Sequence, residues 1–150
     1  MFIETERLRI EPLGFDEFAQ LDGVDSNTRE AMNGLYSSRP NGSDFFWYSY
    51  WKISLKSDRE HVGGFCFMSE PSPTGAVEIG YGIDEKYQGH GFMTEALSAI
   101  ADFAKGRGVK IMTAETEKDN SASQSVLKKC GFVLDKENNG NILLFCKIIN

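Results

Sequence analysis

Ala76–Lys105, AVEIGYGIDEKYQGHGFMTEALSAIADFAK, reads as strand, glycine loop and helix. From Val77 to Ile83 apolar residues alternate strictly, with Val77, Ile79, Tyr81 and Ile83 on one face and Glu78, Gly80 and Gly82 on the other. Glycine weakens a strand unless another backbone or a ligand must come close, so this pair next to Glu78 predicts a groove with a carboxylate at one end. The turn Lys86-Tyr87-Gln88-Gly89-His90-Gly91 follows, then a helical stripe of Met93, Ala96, Leu97, Ile100, Phe103 and Ala104 that closes on Gly106 and Gly108.

A glycine-rich turn feeding a helix start aims several unpaired backbone N–H groups at one point, where the helix dipole also favours negative charge. The product is an anion site. A Walker loop requires Lys and then Ser or Thr after its last glycine, whereas Gly91 is followed by Phe92 and Met93. A dinucleotide fingerprint requires a small residue where Thr94 stands and an acidic residue at the end of a second strand, and Gly89-x-Gly91-x-x-Thr94 fits that poorly.

A second stretch, Asn120–Phe132 (NSASQSVLKKCGF), gives the loop its context. Gln88-x-x-Gly91, preceded by Glu-Ile-Gly-Tyr and followed by a Thr-Glu-Ala-Leu helix, resembles the acyl-CoA pyrophosphate loop of the GNAT N-acetyltransferases. Asn120-x-x-Ser123-x-x-x-Leu127-x-Lys129-x-Gly131-Phe132 is similar to that family's later signature, in the branch of the ribosomal-protein N-terminal acetyltransferases. The opening Glu4-Thr5-Glu6-Arg7-Leu8-x-Ile10 resembles the first strand of the same branch.

The resemblance implies an acetyl-CoA-dependent N-acetyltransferase without a metal, acting on a primary amine: a protein N-terminus or a small-molecule amine. It places Gln88, Gly89, His90, Gly91, Phe92, Met93 and Thr94 around the cofactor's phosphates, the main chain near Ile83 against pantetheine, and Asn120 among the cofactor contacts. Many members carry a Tyr where this chain has Leu127, and there it protonates the departing thiolate. Ser123 is similar to the serine of the branch lacking that Tyr, which implies a thiolate-orienting role.

Composition bounds the rest. A chain of 150 residues, 41% hydrophobic and 25% charged, has the size and make-up of one globular domain, 1–150. No apolar run approaches a membrane span, and Glu4 and Glu6 are foreign to a signal peptide, so the expected location is the cytoplasm. A net charge of -6 without a basic stripe argues against nucleic acid as a partner and favours cationic acceptors such as amines. Cys66, Cys130 and Cys146 show no paired spacing and read as reduced structural thiols; a homodimer is left open.

Leu8–Leu13 reads as a strand ended by Pro12, then a helical stretch from Gly14 with Phe15, Phe18 and Ala19 inward, then a helix capped near Asp25 with Ala31, Met32, Leu35 and Tyr36 on one face. Phe45–Leu55 (FFWYSYWKISL) is so rich in aromatic and β-branched residues that it predicts one strand. His61–Met68 predicts its partner, with His61 at the surface. Val109–Thr116 predicts a strand parallel to the Glu78 strand, and splaying of the two would open a slot. Asp119–Cys130 predicts a helix with a Ser121-x-x-Gln124 capping box, and Phe132–Leu134 with Asn141–Ile149 a hairpin turning at Asn139-Gly140. The sum is an α/β (α+β) domain: a mixed, mostly antiparallel twisted sheet of about seven strands flanked by about four helices.

Amine acetylation asks for an anion cradle, donors for the developing oxyanion, and removal of the amine proton. Glu78 is the candidate base, acting directly or through water, or else an electrostatic contact for the ammonium; Glu115 on the neighbouring strand is its rival. The competing class is a non-catalytic acyl-CoA-binding sensor.

Overall fold

The computed structural model describes residues 1–138 and 140–150. Among these, the chain order is β1 (Ile3–Glu4), β2 (Leu8–Pro12), α1 (Phe15–Ala19), α2 (Ser26–Ser37), β3 (Trp51–Leu55), β4 (His61–Phe67), β5 (Ala76–Ile83), α3 (Phe92–Gly106), β6 (Ile111–Glu117), α4 (Ser121–Lys129), β7 (Val133–Glu137) and β8 (Ile142–Ile148). The strands form one eight-stranded sheet in the order β1-β2-β3-β4-β5-β6-β8-β7. Every adjacent pair is antiparallel except β5 and β6, which α3 joins in parallel. The mixed, mostly antiparallel α/β arrangement is therefore the one predicted, with eight strands.

The alternation along β5 sorts the two faces of the sheet. Val77 and Ile79 are buried in the main core with Phe65, Phe67 and Met112, against Met93, Ala96, Leu97, Ile100 and Ala104 of α3. Leu97 is 1% exposed, so truncating it to Ala would cost about 2–5 kcal/mol through lost burial and the cavity left behind. On the opposite face a smaller cluster of Leu13, Phe18, Met32, Tyr50 and Cys66 seats α1 and α2. The Tyr36 hydroxyl clamps α2 down, donating to the Leu13 carbonyl at 2.7 Å and accepting the Tyr50 N–H at 3.0 Å.

Several sequence expectations give way here. Phe45–Leu55 is not one strand: Phe45–Tyr48 winds as a 3-10 turn and β3 begins at Trp51. Phe46, Trp47 and Tyr48 are all buried, which no period-2 ribbon achieves against one core, and the turn is held by the Ser49 hydroxyl on the Phe45 carbonyl at 2.7 Å and the Trp51 indole N–H on the Phe46 carbonyl at 2.9 Å. The opening strand is broken between Glu4 and Leu8, where Thr5-Glu6-Arg7 turns β1 back onto β2. Phe15, Ala19 and Ala31 face solvent rather than core.

The cap of α4 is Asn120, one residue before the predicted Ser121, and its side-chain oxygen accepts the Ser123 N–H at 3.0 Å. Asp25 caps α2 as expected, on the Thr28 N–H at 2.8 Å. The predicted turn residue Asn139 lies outside the described residues. Among the described residues no helix is long and apolar enough to cross a membrane.

Candidate active site

The loop between β5 and α3 is built from main chain. Gly89 and Gly91 both have φ near +80° (82° and 78°), a conformation that costs side chains strain, and Gly91 is the residue from which α3 starts. As a result the N–H groups from Gly89 through Thr94 bond to no described residue, and the first to do so is Glu95, onto the Gly91 carbonyl at 3.0 Å. These donors converge at the positive end of a 15-residue helix. Gln88 closes the base of the loop: its N–H bonds the Glu85 carbonyl at 3.2 Å and its side chain reaches the Ile83 carbonyl at 3.5 Å.

Side chains brace this main chain from outside. The His90 ring stacks on Phe92 at 5.5 Å, and Met93 is buried in the core. The Thr94 carbonyl accepts the Cys130 thiol at 3.5 Å, tying the start of α3 to the end of α4. From the other end of the chain Arg7 ion-pairs with Glu95 at 2.7 Å, donates to the His90 carbonyl at 2.9 Å and lies 4.5 Å from the Phe92 ring centre. The sequence reading used Arg7 only as part of an opening strand; nothing local announces this contact, which spans more than half the chain.

The predicted slot is present. The β5–β6 ladder stops at Ile79 opposite Ala114, while β5 runs on to Ile83 beside β4 and β6 runs on to Glu117 beside β8. Met68 N–H to Glu78 O and Asp84 N–H to Val62 O fix which β5 residues bond β4, so the alternation of the ladder turns the main-chain groups of Tyr81 and Ile83 toward the gap. The first turn of α4 closes one side of this gap. There the Tyr81 and Ser123 hydroxyls share a hydrogen bond of 2.7 Å, and burial raises the Tyr81 phenol above its ordinary range. Tyr81, which sequence reasoning counted as core, thus lines the gap. Leu127 is fully buried.

On the other face of β5 lies a cavity of about 310 Å³. Gly63, Gly64, Gly80 and Gly82 floor it, α2 roofs it with Thr28 and Met32, and Asp25 and Asp84 stand among its lining. On the β4 side the floor must be glycine: a Cβ on Gly64 would sit 2.2 Å from the Tyr50 ring, and one on Gly63 would sit 2.5 Å from the Gly82 carbonyl. Tyr50 thereby lies across β4 and bonds His61 Nε2 at 2.8 Å, while His61 Nδ1 faces the Asp22 carbonyl at 3.3 Å.

That carbonyl can only accept, so Nδ1 carries the proton and Nε2 receives the Tyr50 hydroxyl. Burial lowers the pKa of His61 and keeps it neutral. His61 is thus half-buried in the cavity wall, not at the surface as predicted. Its signal in the sequence was the Gly63-Gly64 pair, two adjacent glycines in a strand, of which Gly64 lies opposite Gly82. Cys66 in the same wall is pushed up to about 11 by burial and is an unreactive thiol.

Glu78 continues the glycine row, two residues beyond Gly80 and just outside the cavity lining. Burial, and then the charge of Glu115, raise its carboxyl above the usual range. Glu115 itself is exposed.

The chain matches the acetyltransferase (GNAT) domain over residues 13–133 and belongs to that family. It is an acetyl-CoA-dependent N-acetyltransferase. The uncharacterized N-acetyltransferase YjdG of Bacillus subtilis is 30% identical to it, over 90% of this chain and 91% of that protein. The ribosomal-protein-serine acetyltransferase of Escherichia coli is 27% identical, over 82% of this chain and 64% of that protein. Among solved structures, the acetyltransferase from Salmonella typhimurium that modifies the N-terminal serine of ribosomal protein L7/L12 superposes with a TM-score of 0.75 at 21% identity, over 100% of both chains.

The residues present fit the family's donor. A run of unpaired N–H groups suits its diphosphate, and unpaired strand main chain in the gap suits its amide-bearing arm. What the cofactor supplies is an acetyl group activated as a thioester.

Proposed function

We propose that the chain acts as one acetyltransferase domain that acetylates the α-amine of a polypeptide N-terminus. The observation that carries this reading is the meeting of two sites at the open end of β5: unpaired N–H donors and a gap on one side, a glycine-floored cavity on the other. Gly89 to Thr94 hold the phosphates, Tyr81 and Ile83 main chain lines the arm of the cofactor, and Asn120 sets the first turn of α4 beside it. The acceptor enters from the cavity face, where Asp25, Asp84 and Glu78 favour a cation.

Glu78 takes the proton of the amine, directly or through water; its raised pKa brings the carboxylate closer to the task than an ordinary one. His61 is the weaker candidate, since Tyr50 already occupies its free lone pair. Ser123, in its shared bond with Tyr81, presents a hydroxyl that orients the departing thiolate. The names of the relatives favour a polypeptide acceptor, and the cavity volume suits one or two residues of it. Free-thiol release from acetyl-CoA, measured with a panel of N-terminal peptides and of small amines, tests the reading. Turnover with peptides supports it; turnover with small amines alone replaces the acceptor, and binding of acetyl-CoA without thiol release would leave a sensor domain.

A further inference from the structure

A diphosphate arriving at the loop carries about two negative charges, and the chain it approaches has a net charge of -6. The end of a helix offers roughly half a positive charge. No residue from Gln88 to Thr94 is Lys or Arg, and the ammonium of the nearest lysine, Lys86, is turned to Glu60 at 3.0 Å. Any full cation at this site therefore comes from elsewhere in the fold.

Arg7 is set for that role. Its Nε is fixed on Glu95 and its Nη1 on the His90 carbonyl, and Glu95 is itself held by the Arg7 N–H at 2.9 Å and the Thr5 hydroxyl. Stacking on Phe92 fixes the plane of the guanidinium. Nη2 is left over: it donates to none of the described residues, and it lies 3.5 Å from where a Cβ on Gly91 would stand. The one free arm of a rigidly held fork therefore points beside the glycine from which α3 starts, where the loop N–H groups are unpaired.

We propose that Arg7 is a cofactor-binding residue, whose Nη2 donates to the diphosphate of acetyl-CoA and completes the anion cradle from the far end of the chain. The inference rests on the reading of the loop as the cofactor site. A pre-oriented guanidinium loses little freedom on binding and matches phosphate oxygens in a way an ammonium does not.

Calorimetry with coenzyme A, and competition by pantetheine, which lacks the diphosphate, test it on wild type, Arg7→Met and Arg7→Lys, each first shown by circular dichroism to be folded. Arg7→Met is expected to weaken coenzyme A by about 10- to 100-fold while pantetheine affinity stays unchanged. Arg7→Lys should recover only part of the loss. The fall of coenzyme A affinity with added salt should be shallower in Arg7→Met than in wild type, because one screened contact is gone. A residue that merely braces the loop would lower affinity with that slope intact, and this result, like unchanged coenzyme A affinity or an equal loss of pantetheine, would overturn the proposal. Wild type that binds no coenzyme A would overturn the cofactor site first and this contact with it.

Discussion

The loop at the start of α3 and the cavity under α2 lie at the same end of β5 and are made by opposite means. The loop is main chain from one contiguous stretch, shaped by two left-handed glycines. The cavity is side chains from α2, from Tyr50 just before β3, and from β4 and β5, laid over a glycine floor, and its shape depends on Tyr50 crossing Gly64 to reach His61. A site of main chain recognises what every cofactor of its class shares. A composite of side chains can be altered one residue at a time, which fits the proposed role of the cavity in choosing the acceptor.

On this division the largest effect belongs to Glu78, which continues the glycine row of the cavity floor. Glu78→Gln keeps the shape and removes proton acceptance, so kcat should fall by about 100-fold or more. The wild-type kcat/KM should rise with pH through a limb lying above the ordinary carboxylate range, since burial and Glu115 hold the proton on, and that limb should vanish in the variant. A loss confined to acceptor KM with the limb intact would make Glu78 an electrostatic contact only.

Next in size is Gly91→Val. A β-branched residue at φ 78° is strained by about 1–3 kcal/mol, and relief of that strain closes the cradle, so acetyl-CoA should bind about 5- to 150-fold more weakly. His90→Ala changes a side chain and spares the main chain, so it should cost far less. Equal losses in the two variants would mean that the loop works through side chains and would erase the contrast with the cavity.

Gly64→Ala probes the other half. Its Cβ would overlap the Tyr50 ring at 2.2 Å, and overpacking of this kind costs about 1–3 kcal/mol. Thermal melting should fall accordingly, and acceptor KM should rise as Tyr50 leaves His61, while calorimetric affinity for acetyl-CoA holds. A change in cofactor affinity instead would show the two sites to be mechanically coupled.

The same contrast explains what the sequence disclosed. Strand, loop and helix from Ala76 to Lys105 were legible because alternation, glycine spacing and helical stripe all act within a few residues. The parallel β5–β6 pair and its slot followed from one crossover. Phe45–Tyr48 misled because aromatic density reports burial, and a 3-10 turn against α3 buries aromatics as well as a strand does. The His61 wall and the Arg7 brace were hidden because their partners are brought together by sheet order, which no local pattern encodes. Asn120 and Ser121 are both good caps, and only the geometry of the turn after β6 chooses between them.

Asn120 gives the smallest expected effect and the finest test of the division. Its Oδ1 caps α4 through the Ser123 N–H, so Asn120→Ala removes a cap worth about 1 kcal/mol and loosens the turn that carries the Ser123 hydroxyl toward Tyr81. If Asn120 also holds the cofactor, that contact is the same in ground and transition states, and acetyl-CoA KM should rise several-fold with kcat less affected. Asn120→Asp restores an oxygen acceptor for the cap but places a negative charge beside an anionic ligand. It should therefore regain the melting temperature and not the KM. Recovery of both by Asp would reduce Asn120 to a helix cap and would leave the cofactor to Arg7 and the main chain of the loop and the gap.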